Sequence, residues 1–216
     1  MRVPVLLGMI AFAAACGAAR APQSTFKTGQ EGAIERARAD SLRYPYTQAD
    51  IDFMSGMIHH HAQAIVMSKW APSRGASPSI QRLTARIINA QTDEINLMQT
   101  WLRDRNQAPP MVDSLGNVSM PGMAHDMHAG HGAMMPGMLS ADQMAELSAA
   151  RGSEFDRLFL TFMIQHHRGA VEMVRTLFSA HGAGQDESIF KFAADVQVDQ
   201  TTEINRMLTM LLELDG

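Results

Sequence analysis

The sequence predicts an all-α protein, a four-helix bundle made of two duplicated antiparallel helix hairpins. Three observations carry this. One helix-pair unit occurs twice, apolar positions in both copies recur at i, i+4 and i+7 with no competing strand alternation, and start and stop signals bracket each stretch.

Residues 53–67, which carry Met57-Ile58-His59-His60-His61, align without gaps to residues 159–173, which carry Met163-Ile164-Gln165-His166-His167, at an offset of 106. The second helix repeats as Gln91-x-x-Glu94-Ile95-Asn96-x-Met98 and Gln200-x-x-Glu203-Ile204-Asn205-x-Met207 at an offset of 109, so the connecting loops differ by three residues. Thr47-x-x-Asp50 and Ser153-x-x-Asp156 both read as capping boxes, in which a hydroxyl and a carboxylate satisfy free amides at a helix start. The loop at 72–77 precedes Pro78, suited to a first helical turn, and the loop at 180–185 carries Gly182 and Gly184 as stop signals. Such short connections make antiparallel neighbours. The predicted helices are 48–71, 78–105, 154–180 and 186–214, with a short one over 141–151 capped by Ser140-x-x-Gln143. Neither hairpin covers its own apolar face, so the copies are expected to pack about a pseudo-twofold axis.

Ahead of the repeats, Met1 and Arg2 lead into an apolar run from Val3 to Ala15 with the layout of a secretion signal, too short to span a bilayer comfortably. Cys16, the one cysteine, follows small residues as the lipidated cysteine of a bacterial lipoprotein does, and plain cleavage near Ala19 or Ala21 is the alternative. The expected organisation is a signal over 1–15, a tether over 16–43, the first hairpin over 44–105, a Met/His-rich linker over 106–140, and a short helix plus the second hairpin over 141–216. This implies export to the periplasm or cell envelope, with any membrane contact made through the lipid on Cys16. The 216 residues are 46% apolar, enough for a real core, and a net charge of -4 with a pI near 6.1 supplies no basic field for nucleic acid.

The doubled Asp-x-x-Phe/Leu-x-x-x-Met-Ile-x-His-His helix followed by Gln-x-x-Glu-Ile-x-x-Met resembles the bacterial domain-of-unknown-function family 305, over roughly residues 44–215. That resemblance implies a ferritin-like four-helix bundle and handling of copper or silver, since the family includes a cyanobacterial periplasmic copper-binding protein.

On the first helix Phe53, Met57, His60, Ala64 and Met67 share a stripe, matched by Phe159, Met163, His166, Ala170 and Met173. Gln91, Glu94, Met98 and Trp101 form another, matched by Gln200, Glu203, Met207 and Met210. Imidazoles and carboxylates thus point at one interior, where a carboxylate needs a partner. Two readings stay open. One is a buried His/Glu hydrogen-bond network that only fixes helix register. The other is a metal site assembled from His60, His61, His166, His167, Glu94 and Glu203 with Met57, Met98, Met163 and Met207. Asp50 and Asp156 are assigned to capping, His59 has Gln165 as its counterpart, and His181 stands near a helix C-terminus, where a cation is favoured.

The stretch 120–138 packs six Met (Met120, Met123, Met127, Met134, Met135 and Met138) and three His (His125, His128 and His131) into 19 residues, with Gly and Pro between them. Gly and Pro oppose a helix that would bury these side chains, and thioethers with imidazoles suit Cu(I), Ag(I) or, through imidazole, Cu(II). The leading expectation is an exported, non-enzymatic copper- or silver-binding and buffering protein whose partner is the metal ion. A ferritin-like metal-dependent oxidase is the first alternative, weakened because no Glu-x-x-His occurs in the chain. A structural envelope bundle without metal is the second.

Overall fold

The computed structural model describes residues 29–35, 46–114, 116–119 and 135–215. The chain divides into two units, Met1–Arg36 and Ala37–Gly216. In the first, residues 29–35 form a short helix, α1. The second holds α2 (Gln48–Trp70), a 3-10 turn (Pro72–Arg74), α3 (Pro78–Asp104), β1 (Met111–Val112), β2 (Val118–Ser119), α4 (Ala141–Ala149), α5 (Gly152–Ser179) and α6 (Glu187–Asp215). It is an all-α bundle in which α2 pairs with α3 and α5 with α6, while α2 and α5 pack on each other across the two hairpins. Among the described residues no helix is long and apolar enough to cross a membrane. The signal segment and Cys16 lie outside the described residues.

Local chemistry sets the helix ends. Thr47 and Asp50 form a reciprocal capping box on α2, Ser140 and Gln143 do so on α4, and Ser77 caps α3 with Pro78 in its first turn. The start of α5 differs from expectation. The helix begins at Gly152, its N-cap Arg151 makes no side-chain cap, and Ser153 lies inside the helix. Asp156 is therefore free to reach the other hairpin, where its carboxylate accepts from the Ser77 amide at 3.1 and 3.2 Å. Asp50, besides its capping role, accepts from the Gly184 amide at 2.7 Å in the loop joining α5 to α6. Each hairpin thus holds the other's loop through a buried carboxylate, and the two ties show that α2 and α5 run antiparallel. Asp186 caps α6 through the Ser188 and Ile189 amides and also pairs with Arg105 and the Trp101 indole, joining the end of α3 to the start of α6.

The apolar interior forms two clusters. One gathers Met67, Leu83, Ile87, Phe155, Phe159, Met163 and Met207, the other Phe53, Met57, Met98, Trp101, Val174, Phe192 and Val196. Their boundary falls near the middle of all four long helices. The buried polar residues His60, His61, Gln91, His166, His167 and Gln200 sit there, so a polar layer divides the core at mid-height.

The expected linker is partly structured. Met111–Val112 pairs antiparallel with Val118–Ser119 around a turn in which the Asp113 carboxylate accepts from Asn117. Two-residue strands are too short to leave an alternation in the sequence. At its other end the described chain resumes at Met135 and crosses α2 and α5 as a strap before α4.

Candidate metal centre

Adjacent helical residues project about 100° apart, so two consecutive histidines serve two directions. His61 faces its own hairpin partner, where its Nε2 donates to Glu94 at 2.6 Å, and His167 does the same to Glu203 at 2.7 Å. His60 and His166 face across the hairpins instead, with ring centroids 3.7 Å apart and planes inclined by 39°. The Nε2 of His60 donates to the carbonyl of Pro136 at 3.1 Å. Sequence stripes had placed His60 and His166 with the glutamates; the structure gives that role to the neighbouring His61 and His167.

All four rings are fully buried. Burial, reinforced by the nearby His61 and opposed by the Pro136 hydrogen bond, pushes His60 down to about 3. Burial, followed by the neighbouring His60, His167 and His61, holds His166 well below the ordinary histidine range. These two rings are therefore neutral, and the proton of His60 resides on Nε2, where it meets the carbonyl. Its Nδ1 carries a lone pair. That Nδ1, the Nδ1 atoms of His61 and His167, and both nitrogens of His166 are buried without a hydrogen-bond partner. Leaving a buried polar atom unsatisfied costs about 1–3 kcal/mol.

The carboxylates stand at the edge of this layer, with Glu94 21% and Glu203 18% exposed at the side chain. Asp199 joins them on the outer surface. Burial first, and then the charges of Glu94, Asp195 and Glu203, raise its carboxyl above the usual range, while Lys191 opposes the shift. Gln91 and Gln200, one turn before the glutamates, are buried with their side-chain oxygens unpartnered.

The family described as "Domain of unknown function (DUF305)" matches residues 50–211. The chain belongs to the DUF305 family. A solved DUF305 fragment from Deinococcus radiodurans superposes with a TM-score of 0.62 at 27% identity, covering 78% of this chain and 99% of that one. CopM in its Cu(I)-bound form gives 0.56 at 26% identity, covering 77% and 98%, and CopM has also been solved with Cu(II) and with Ag. The uncharacterised protein L153 of Acanthamoeba polyphaga mimivirus is 47% identical over 62 residues, 27% of this chain, and the match spans 41% of that relative's length.

Within this DUF305 bundle the predicted residues separate into groups. Met57 and Met98 are fully buried in one apolar cluster, Met163 and Met207 in the other, each about one turn from the polar layer. Among the described residues no three His, Cys, Asp or Glu side chains converge as a closed metal cage. The reason is geometric: the two His–Glu pairs lie within separate hairpins, flanking the central His60/His166 pair. Met120, Met123, His125, Met127, His128, His131 and Met134 lie outside the described residues, whereas Met135 and Met138 are described and partly buried. His181 is exposed just beyond the end of α5.

Sequence reasoning missed the strap. Gln63 brackets the Leu139 backbone, donating to its carbonyl at 3.1 Å and accepting from its amide at 2.8 Å, while Gln165 bonds Gln143 at 3.1 Å. Gly169 lets the strap touch helix backbone, since a Cβ there would lie 1.9 Å from the Pro136 oxygen. The signal was present as departures from the repeat: Gln63 aligns with Gly169, and His59 with Gln165.

Proposed function

We propose that this protein binds and buffers copper or silver in the cell envelope without catalysing a reaction, with His60 and His166 at the centre of the site. The observation that carries this reading is the set of five buried, unpartnered ring nitrogens, on His60, His61, His166 and His167. A purely structural His/Glu network accounts for two Nε2 atoms and leaves those five unexplained. A histidine whose Nε2–H is held by a carboxylate or carbonyl, leaving Nδ1 as a fixed lone pair, is the arrangement metal sites use to orient an imidazole ligand. In His61, His167 and His60 the Nε2 is held in this way and the Nδ1 is buried without a partner. The neutral imidazoles of His60 and His166 are ligand-ready, and thioethers of Met57, Met98, Met163 and Met207 near the layer favour a soft ion. Support also comes from CopM, solved with Cu(I), Cu(II) and Ag on a similar fold. Glu94 and Glu203 act in this reading as orienting partners at the layer's edge.

The linker residues Met120, Met123, His125, Met127, His128, His131, Met134, Met135 and Met138 are assigned to capturing the ion, on the strength of six thioethers and three imidazoles in 19 residues. Export with a lipid on Cys16 would place that segment at the envelope. The test is titration of the purified protein with Cu(I), Cu(II), Ag(I), Zn(II) and Fe(II), beside a variant lacking residues 120–134 and a His60→Gln/His166→Gln variant. The deletion is expected to reduce the number of ions bound, and the substitutions to remove the most protected one. Unchanged copper and silver binding in both variants overturns the reading, and oxygen-consuming turnover with Fe(II) would replace it with an oxidase.

A further inference from the structure

Two methionine side chains meet in a notch over Gly56. A Cβ built on Gly56 would lie 3.3 Å from Met135 Sδ and 3.4 Å from the terminal methyl of Met173, so a strap residue and an α5 residue converge on one point above α2. The notch belongs to one repeat alone. The residue aligned with Gly56 is Phe162, 8% exposed and part of the apolar core. Both methionines are partly buried, unlike the fully buried imidazoles. His59 and His60 follow Gly56 at i+3 and i+4, the positions beside it on a helix surface, and Met135 immediately precedes the Pro136 carbonyl that holds His60.

We propose that Met135 and Met173 form a second site for a monovalent soft cation, Cu(I) or Ag(I), at the outer edge of the buried imidazole layer. The inference rests on the soft-metal reading for the identity of the ion, but its ligands are distinct from the buried rings. Paired thioethers select Cu(I) and Ag(I) over Zn(II) and Mg(II), which prefer nitrogen and oxygen. Gly56 brings the two side-chain ends close to the α2 backbone, since a Cβ there would stand 3.3 Å from Met135 Sδ and 3.4 Å from the Met173 methyl, tighter than ordinary contact. A leucine or isoleucine over an alanine would seal the same contact.

The test uses the full chain, Ag(I) as probe, and methyl-13C-methionine labelling. The Met135 and Met173 methyl resonances are expected to shift together in one step of the titration. Native mass spectrometry of a Met135→Leu/Met173→Leu variant, which keeps volume and apolarity, is expected to show one silver ion fewer than the parent. In a His60→Gln/His166→Gln variant the paired methyl shifts should persist, so failure of the buried-imidazole reading leaves this site visible and the converse also holds. Undiminished silver stoichiometry in the double leucine variant, or methyl shifts of the two residues at separate steps, overturns the proposal.

Discussion

Replacing Gly169 by alanine tests whether the strap is held by backbone contact with α5. The added Cβ would fall 1.9 Å from the Pro136 oxygen, 2.4 Å from its carbonyl carbon and 2.6 Å from Gly137 Cα. These are main-chain atoms, so no rotamer change relieves the overlap and the strap must lift. Lifting breaks the His60–Pro136 bond and both Gln63–Leu139 bonds, at about 1 kcal/mol each. It also exposes Leu139, now 4% exposed, for about 2 kcal/mol more. Alanine in place of glycine inside a helix returns about 1 kcal/mol. The net loss in strap docking is about 4 kcal/mol, equivalent to roughly a thousandfold in population at 1.4 kcal/mol per decade. Amide hydrogen exchange reads this directly, because the Leu139 amide donates to Gln63 and should lose about three orders of protection while amides in mid-α3 keep theirs. Retention of Leu139 protection to within tenfold would refute the account of how the strap is seated.

Three further outcomes follow from the same contacts. The depressed pKa of His60, about 3 against an ordinary 6.5, means that the unfolded chain takes up the proton first as pH falls. Its contribution to stability is complete above 6.5, declines between 6.5 and 3 and is absent below 3. The slope in that window is about 1.4 kcal/mol per pH unit for this ring, with His166 acting in the same direction. Urea midpoints of metal-free protein should therefore fall from pH 6 to pH 4, and less steeply in His60→Gln; identical slopes count against neutral burial. Asp156→Ala should lower unfolding free energy by about 2–3 kcal/mol and Asp50→Ala by at least as much, because charged acceptors of buried amides are lost. Their effects should add to within about 0.5 kcal/mol, since the two ties stand at opposite ends of the α2/α5 pair, and a larger coupling would show that they do not act separately. Glu94→Ala and Glu203→Ala should each weaken copper or silver binding about 10–100-fold with helix content unchanged, the usual consequence of removing the group that orients a ligand histidine. Wild-type affinity in both would detach the glutamates from the site.

The architecture was legible because the repeat states it twice. Periodicity placed the four long helices to within two residues at their ends, and two of three capping signals worked as written. Ser153-x-x-Asp156 misled because a capping box and a loop anchor use the same carboxylate, and only the position of the Ser77 amide, 79 residues away, decides between them. The inward histidines were legible as a set, but stripe counting could not distinguish His60 from His61. The choice depends on which neighbour lies across each face, and that is tertiary information. The strap was hidden for a related reason, since its bonds run from side chains to backbone between residues 76 apart and leave no periodic trace.

Those hidden contacts explain why the two aligned segments differ in sequence where they do. A strictly twofold bundle offers the His60/His166 pair the same cover on both sides, yet one strap cannot obey a twofold axis. On the side it crosses, the chain carries Gly56 under Met135, Gln63 and Gln165 bonding the strap or its neighbours, and Gly169 against the Pro136 carbonyl. The partner positions are Phe162, Gly169, His59 and Gln63. One of these pairs consists of residues that both serve the strap, Gln63 with Gly169. Because both helices meet beneath the crossing, one face of the repeat had to change in both copies. The strap polarises the site: it fixes the tautomer of His60 while His166, related by the repeat, keeps two unpartnered nitrogens. The two central imidazoles are therefore chemically unequal in an otherwise duplicated frame. His60 presents a single oriented lone pair, whereas neither nitrogen of His166 has a partner of normal hydrogen-bond geometry.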